Sequence, residues 1–427
     1  MITEQCIEKA MEKAEGAQAY LSRSDQTDVS FENDRLKSVT TSQNTDLHVK
    51  VVCGGRIGSS RTTDSGDIDG VVQRALETAD FGSPARFEFP PFSEGQDVPV
   101  YDEKVLSLTP EAIVEKGRDM LKIVKEYNGD ILVDAEGSAS RSSIEFANSS
   151  GMKYSSETTG FSLYISGQLV RGTDILFAGD WFGWRRHEID HEKLAENTVR
   201  YFTWAEENAE IGSGDMPVIF TPQGMSVLVL ALQLGLSGKN VFMGSSPLSG
   251  KKGEKIADGR FSMADDPMIK YAPGSSSFDG EGVSRQRLHL IQEGVVSNFI
   301  YDLDTAARAG TGSTGHGPGC GFTNMVIGEG NCSFEDMIAD TEKGLLVHSV
   351  LGLGQGNPIS GEFSVNVQLG YVIRNGKIAG RAKNIMLAGN TYEVLKRIDC
   401  IGDTAEWTPG GLLTPPVKIE HLSVVAK

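Results

Sequence analysis

The sequence predicts an α+β protein in which a duplicated N-terminal unit (helix, antiparallel strands, helix, twice) precedes a β-rich C-terminal domain. Two observations predict the duplication and a third predicts the second domain. FENDRLKSVTTSQNTDLHVKV, which begins at Phe31, resembles FANSSGMKYSSETTGFSLYIS, which begins at Phe146, at an offset of roughly 115 residues. Helical periodicity flanks strand-like alternation in both copies. Beyond residue 211, turn signals and glycine are dense and helical patterns are few, which favours antiparallel strands.

The first unit is predicted within residues 1–80. An opening helix runs from Glu4 to Glu15, and alternating strands follow from Ala17 to Arg61. A closing helix is predicted from Ile68 to Ala79, because its apolar residues recur at helical spacing.

The second unit is predicted within residues 109–208. Thr109 caps its opening helix and Pro110 occupies the first helical position. Strands follow from Ile131 to Phe177, and a closing helix runs from about His191 to Glu206. The proline-rich stretch from Phe81 to Pro99 is predicted to connect the two units. Together the units form a predicted domain of residues 1–210.

Residues 211–427 are predicted to form the second domain. It opens with a strand in MPVIFTP, followed by a buried helix from Met225 to Leu236. Two hairpins are predicted further on, one across Glu293-Gly294 and one across Asn375-Gly376, because such pairs favour tight turns between strands.

The amino-acid composition limits the kinds of molecule that this chain is expected to bind and the compartment in which it is expected to act. The 427 residues carry a formal net charge of −18, which disfavours direct binding to nucleic acid, since phosphates attract basic surfaces. The N-terminus lacks the basic start and apolar core of a signal peptide. The longest apolar run, Val227 to Leu236, is shorter than the roughly 20 residues that span a bilayer. Five scattered cysteines without a CxxC pair are typical of a reduced chain, so we expect a cytoplasmic protein.

One short motif matches a zinc-peptidase signature. In HEIDH, two histidines four residues apart would bind zinc from one helical face and the glutamate would act as base; these residues are His187, Glu188 and His191. However, Asp190 suits a helix N-cap, and the isoleucine before it could pack on Leu194 as a hydrophobic staple. A helix that starts inside the motif would separate the two histidines, so we interpret HEIDH as a chance match.

Three further patterns have competing interpretations. His316 and Cys320 are either metal ligands or parts of a glycine-rich loop, and the loop is favoured. Asp279 and Glu281 could form an acidic or cation-binding patch, but a solvated turn is favoured. The glycines from Gly352 to Gly356 resemble part of a dinucleotide fingerprint, yet no βαβ pattern surrounds them, so we discount that function.

Several C-terminal segments, taken in order, resemble the TldD/PmbA family, which is also labelled a modulator of DNA gyrase. The resemblance extends over the whole chain, including the duplicated half. The segments that carry it are Phe278 to Asp302, Ser313 to Gly317, Thr323 to Ile327, Ser333 to Val347, Asn357 to Val365 and Tyr371 to Asn390.

The resemblance implies two branches. TldD-like members carry HExxxH on a helix plus a later cysteine and act as zinc peptidases, whereas PmbA/TldE-like members lack these ligands and pair with a TldD-like subunit. The corresponding helix here reads VLVLALQL, with Val229, Leu230 and Leu234 near the expected ligand positions. No His, Asp or Glu occurs from Met216 to Gly253, and aliphatic side chains cannot bind zinc.

The expected cysteine is also missing. Thr408 to Pro416 contains none, and Cys400 lies too early in the chain for a confident match. The chain therefore resembles the PmbA/TldE branch, which implies no catalytic residue, no metal and no cofactor of its own. The zinc is expected in a TldD-like partner subunit, and isolated chains could also form homodimers.

The resemblance further implies that the chain helps bind unfolded peptides for proteolysis, and strand addition is a natural capture mode. Our candidate peptide-binding residues are Ser313, Thr314, Gly315, Ser360, Gly361 and Phe363. Two alternatives remain open: an autonomous metallopeptidase that uses HEIDH, and a protein-binding regulator of DNA gyrase.

Overall fold

A computed structural model describes residues 1–426 of the chain. Its N-terminal half is built on one six-stranded antiparallel sheet in the order β3-β2-β1-β4-β5-β6. The elements of this half are α1 (Ile2–Ala10), β1 (Gly16–Glu32), β2 (Arg35–Cys53), β3 (Arg56–Thr62), α2 (Ile68–Ala79), α3 (Glu103–Leu106), α4 (Pro110–Tyr127), β4 (Leu132–Asn148), β5 (Lys153–Arg171), β6 (Asp174–Trp184) and α5 (His191–Trp204).

The predicted duplication is confirmed. Strand β4 begins 116 residues after β1, and β5 and β6 each begin 118 residues after β2 and β3. The two copies meet where β1 pairs with β4, so the sheet order is symmetric about its centre. Leu21 and Phe31 lie on the same face of β1. Leu21 packs in the core beneath α1 and α2, whereas Phe31 packs in the core beneath α4.

Helix boundaries agree with the prediction except at the N-terminus. Helix α2 spans the predicted residues, and the Thr109 hydroxyl caps α4 by accepting from Ala112 N–H at 3.3 Å. The opening helix, predicted to reach Glu15, ends at Ala10. The reason is that Glu15 N–H donates to Val52 O of β2, so the chain has already joined the sheet there.

The C-terminal half begins with the strand predicted in MPVIFTP. Its elements are β7 (Gly214–Phe220), α6 (Ser226–Leu236), α7 (Gly238–Phe242), β8 (Met263–Asp265), β9 (Leu288–Gln292), β10 (Val295–Val296), α8 (Leu303–Ala309), β11 (Met325–Ile327), α9 (Phe334–Ala339), β12 (Lys343–Leu351), β13 (Glu362–Arg374), β14 (Lys377–Arg381), β15 (Ile385–Asn390), α10 (Thr391–Val394), β16 (Ile398–Ile401), β17 (Glu406–Thr408), β18 (Leu412–Thr414) and β19 (Val417–Ala426).

Five of these strands close on themselves. The order β12-β7-β19-β15-β13 is completed by pairing of β13 with β12, which gives a barrel-like sheet. A second sheet has the order β10-β9-β8-β11-β18-β17. Both predicted hairpin turns form: Asn375 and Gly376 adopt φ of 52° and 73°, and Glu293 and Gly294 adopt 48° and 78°, as tight primed turns require.

Helix α6 packs in the core of the barrel, together with side chains of β7, β13, β15 and β19. The outer side of the barrel packs against α4 and α5, where the Tyr371 hydroxyl donates to Tyr201 O at 3.0 Å. No helix within residues 1–426 is long and apolar enough to cross a membrane.

Candidate functional site at helix α6

Helix α6 occupies the place where the family resemblance implies metal ligands, and it is a core helix. Leu228, Leu232 and Leu236 are fully buried, and Val229 is 3% exposed. Leu230 and Leu234 are half-buried. These side chains present only C–H groups, whereas zinc needs nitrogen, oxygen or sulfur donors. The residues of α6 therefore do not fit a metal ion.

A single histidine lies close to the start of α6. His348 on β12 has its Nδ1 3.2 Å from Thr221 Oγ1, and its ring centroid is 4.2 Å from that of Tyr201 on α5. Its Nε2 has no hydrogen-bond partner. Burial, with a smaller effect of Arg200, lowers the pKa of His348 to about 4. This imidazole is therefore neutral at pH 7.

The cysteine considered as a zinc ligand lies elsewhere. Cys400 on β16 packs against the core shared by α4 and α5, whereas α6 packs in the barrel core. Burial and then a hydrogen bond with Cys332 raise the pKa of Cys400 to about 12, which keeps it a thiol. Within residues 1–426, no three His, Cys, Asp or Glu side chains cluster in a way that could hold a metal.

HEIDH is divided by the start of α5. Asp190 is the N-cap, and its carboxylate accepts from Lys193 N–H at 3.0 Å. Ile189 and Leu194, the predicted staple, are both buried in one core. The two histidines face different acids: His187 Nδ1 lies 2.9 Å from the carboxylate that caps α3, and His191 Nε2 lies 3.5 Å from a carboxylate of α4.

Glu188 of the motif pairs with neither histidine. It is exposed, and its carboxylate lies 3.9 Å from Arg186. The predicted helix start inside HEIDH is thus confirmed, and the geometry that a zinc helix would need is not formed by these residues.

The glycine-rich loop near His316 is held by a buried network. Thr314 Oγ1 lies 2.9 Å from His316 Nδ1, and His316 Nε2 lies 2.9 Å from the buried carboxylate of Asp265. Cys320 Sγ lies 3.3 Å from Thr305 Oγ1 instead. Gly315 and Cys320 have φ of 76° and 58°, as the loop interpretation expected.

In this loop, Ser313 and Thr314, two of the candidate peptide-binding residues, both bond to the backbone of Tyr301. Their hydroxyls donate to Tyr301 O at 3.2 and 3.0 Å, and Thr314 Oγ1 also accepts from Tyr301 N–H at 2.8 Å. Gly315, the third, is buried. These three residues are not among those that line the space beside α6.

The interpretation of Asp279 and Glu281 as a solvated turn is wrong. They are 1% and 3% exposed, because the segment packs against the N-terminal sheet. Asp279 accepts three backbone N–H groups, and Glu281 forms an ion pair with Lys50 at 3.1 Å. Burial raises the pKa of both carboxyl groups. Nothing in the sequence of this polar, glycine-rich stretch indicates that the two carboxylates are buried.

The other candidate peptide-binding residues lie beside α6. Gly361 and Phe363 line, with Val227 and Leu230, a space of only about 10 Å³, which is room for about one water. Ser360 precedes them, and its carbonyl accepts from Asn390 Nδ2 at 2.9 Å. The candidate set therefore divides between two places in the fold, and only one of them adjoins α6.

The start of β13 has one strand edge without a partner in the described chain. Residues Glu362 to Asn366 pair with β15, but β12 joins β13 only from Asn366 onward. Thr391 N–H donates to Gly361 O at 2.8 Å, so the alternation of antiparallel pairing turns the backbone groups of Glu362 and Ser364 toward the open side. The loop from Gly352 to Gly356 borders this edge.

That loop has no dinucleotide-binding geometry. Its glycines follow β12, but the next elements are a 3₁₀ turn and the antiparallel strand β13, with no crossover helix. The sequence could not reveal the open edge of β13, because it depends on where β12 leaves the barrel.

Two solved structures have the same fold as this chain. TldE from Thermococcus kodakarensis matches with a TM-score of 0.93 at 24% identity, over 100% of both chains. A Thermotoga maritima protein described as a candidate modulator of a DNA gyrase matches with a TM-score of 0.91 at 22% identity, over 99% of both chains. The chain therefore has the fold of these proteins.

Family models identify the family itself. The PmbA/TldA metallopeptidase domain 1 matches residues 17–79, the central domain residues 103–210 and the C-terminal domain residues 213–426. The chain belongs to the PmbA/TldD metallopeptidase family.

Curated relatives agree with this assignment. An uncharacterized protein of Methanocaldococcus jannaschii is 26% identical over 92% of this chain and 93% of its own length. Metalloprotease PmbA of Escherichia coli O157:H7 is 28% identical over 48% of this chain and 45% of its own length. A metalloprotease of Archaeoglobus fulgidus is 31% identical, and the match spans 48% of it. Matches to the relatives named metalloproteases thus span about half of each.

Proposed function

We propose that this chain is the non-catalytic, PmbA/TldE-like subunit of a TldD/TldE-type zinc metallopeptidase complex. The observation that carries the proposal is helix α6, where aliphatic side chains stand at the positions implied for zinc ligands: Val229 is buried, and Leu230 and Leu234 are half-buried. A TldD-like partner subunit would supply the zinc and the general base. The complex would act in the cytoplasm.

The contribution of this chain would be to hold an extended peptide. The open edge of β13 offers the carbonyl of Glu362 and the backbone groups of Ser364, whereas Glu362 N–H already donates to Ser360 Oγ at 3.4 Å; α6 lies directly beside this edge. Strand addition accepts many sequences, because main-chain hydrogen bonds supply the affinity. The space between this edge and α6 now holds only about one water, so the loop from Gly352 to Gly356 would have to move for an unfolded segment to bind there.

Copurification tests this proposal. The native protein, purified from its source through a tag on this chain, is expected to bring down a TldD-like subunit, and zinc is expected to follow that subunit when the two are separated. The chain alone should hold no stoichiometric zinc and should not cleave an unfolded peptide, although it could form homodimers. Recovery of gyrase without a TldD-like subunit would favour the regulator instead.

A matched pair of variants tests the alternative that this chain is an autonomous metallopeptidase that uses HEIDH. His187→Ala removes one residue of HEIDH, and His289→Ala removes an exposed histidine on β9 as a control. Zinc and peptidase activity in the chain alone, lost in the first variant and kept in the second, would contradict the proposal.

A further inference from the structure

A large cavity lies away from α6, between the N-terminal sheet and the C-terminal half. Its volume is about 560 Å³, within the range of small-molecule sites. Tyr20 and Tyr154 of the sheet form one wall, and Val98 to Tyr101 of the connecting segment form another. The Tyr154 ring stacks on Phe278 with centroids 4.7 Å apart. Much of the wall is therefore aromatic or aliphatic.

Two guanidinium groups line this cavity without a carboxylate partner. Arg185 donates from Nε to Ala272 O at 3.0 Å and from Nη2 to Pro273 O at 2.6 Å. Arg285 donates only a long bond, 3.5 Å from Nη1 to Gly274 O, and its buried Nε has no partner. Within residues 1–426, no carboxylate oxygen lies within 4.0 Å of either group.

Three acids line the cavity, namely Asp97, Glu157 and Asp279. The charge of Asp279 acts on Arg285 without forming an ion pair. The carboxylate of Asp279 already accepts three backbone N–H groups. Glu157 is exposed and pairs with Arg141 at 2.7 Å. Burial, and then the charge of Arg285, lowers the pKa of Arg185 to about 10, as expected for desolvated like charges. An anion between the two groups would relieve this repulsion.

We propose that this cavity binds a carboxylate attached to an apolar group, namely the C-terminal residue of a peptide, with Arg285 and Arg185 on the carboxylate and the Tyr20–Tyr154–Phe278 wall against the side chain. Planar guanidinium groups match carboxylate geometry, and carboxylate capture is an established way to bind peptide ends. The choice of a peptide as carrier rests on the proposed function, whereas the carboxylate site itself does not.

Calorimetric titration of the purified full-length chain tests the proposal. The probes are acetyl-Ala-Ala-Phe as the free acid, the same peptide as the C-terminal amide, and inorganic phosphate. We expect the acid to bind at least about tenfold more tightly than the amide, because a charge-assisted hydrogen bond is lost in the amide. Phosphate, which has no apolar group, should bind no better than the amide.

Arg285→Gln should abolish the preference for the acid. Arg287→Gln is the matched control: it removes the same charge two residues away, from a side chain that is 53% exposed and 3.5 Å from Asp266. If Arg285→Gln fails to fold, Arg285→Lys keeps the charge but not the fork, and the preference should fall severalfold. Equal binding of acid and amide, a preference that survives in both Arg285 variants, or phosphate binding as tight as the acid would each overturn the proposal.

The copurification experiment separates this site from the proposed function. The absence of a TldD-like partner would contradict the proposed function and leave the carboxylate preference intact.

Discussion

HEIDH and helix α6 differ in opposite ways from a peptidase metal site. HEIDH has suitable side chains, but α5 begins at its last residue, so His187 and His191 face separate acids. Helix α6 is a continuous helix in the implied place, but its inward side chains are aliphatic. A metal site of this kind requires both suitable residue types and a continuous helix, and neither region has both.

The two regions also have different structural roles. Helix α6 contributes fully buried leucines to the barrel core, and the start of α5 contributes a cap and a half-buried surface.

Leu232→Ala in α6 should destabilise the protein by about 2–5 kcal/mol, because it removes a fully buried side chain and leaves a cavity. His191→Ala at the start of α5 should cost less than about 1 kcal/mol, since its carboxylate partner is exposed. Guanidinium unfolding of both variants measures the difference. Similar losses of unfolding free energy in the two variants would mean that α6 is not a core helix.

His348 connects the two regions, since it contacts Tyr201 of α5 and Thr221 just before α6. Its pKa is about 4 in the folded state and about 6.5 when unfolded. Between these values only the unfolded chain binds the proton, so stability is complete above pH 6.5 and falls as the pH is lowered toward 4. At pH 5 the loss from this group should be about 2 kcal/mol.

His348→Gln isolates that contribution. Carboxyl groups titrate in the same range, so the relevant quantity is the difference between the parent and the variant in the loss of unfolding free energy from pH 7.5 to pH 5. The parent should lose about 2 kcal/mol more. Identical pH profiles would show that His348 is protonated as readily in the fold as in the unfolded chain.

The sequence predicted the duplication, α2 and both hairpin turns, because these depend on local periodicity and turn residues. It missed what depends on distant packing. Asp279 and Glu281 are polar and glycine-flanked, yet they are buried because the N-terminal sheet covers them. The cavity of Arg185 and Arg285 joins residues a hundred positions apart, and neither residue belongs to a motif.

Asp190→Ala should cost about 1 kcal/mol, within 0.5–2, because the N-cap of α5 loses its bond to Lys193 N–H. Asp190→Asn keeps a capping oxygen and should lie within a few tenths of the parent. Thermal unfolding of the pair distinguishes capping from charge. Equal destabilisation by both substitutions would mean that the carboxylate charge, rather than the cap, stabilises this helix start.

Ser364→Pro tests the peptide-binding side of the comparison. Proline removes the N–H that the pairing pattern turns toward the open edge of β13, while pairing with β15 through Phe363 and Val365 is kept. One lost hydrogen bond, about 0.5–1.5 kcal/mol, should weaken binding of an extended peptide roughly two- to tenfold. Ser364→Ala keeps the N–H and should bind the extended peptide like the parent. Calorimetric titration of the peptide into each variant measures the difference. If both variants bind the peptide equally well, the peptide does not bind by strand addition at this edge of β13. Helix α6 then has no strand-addition site beside it.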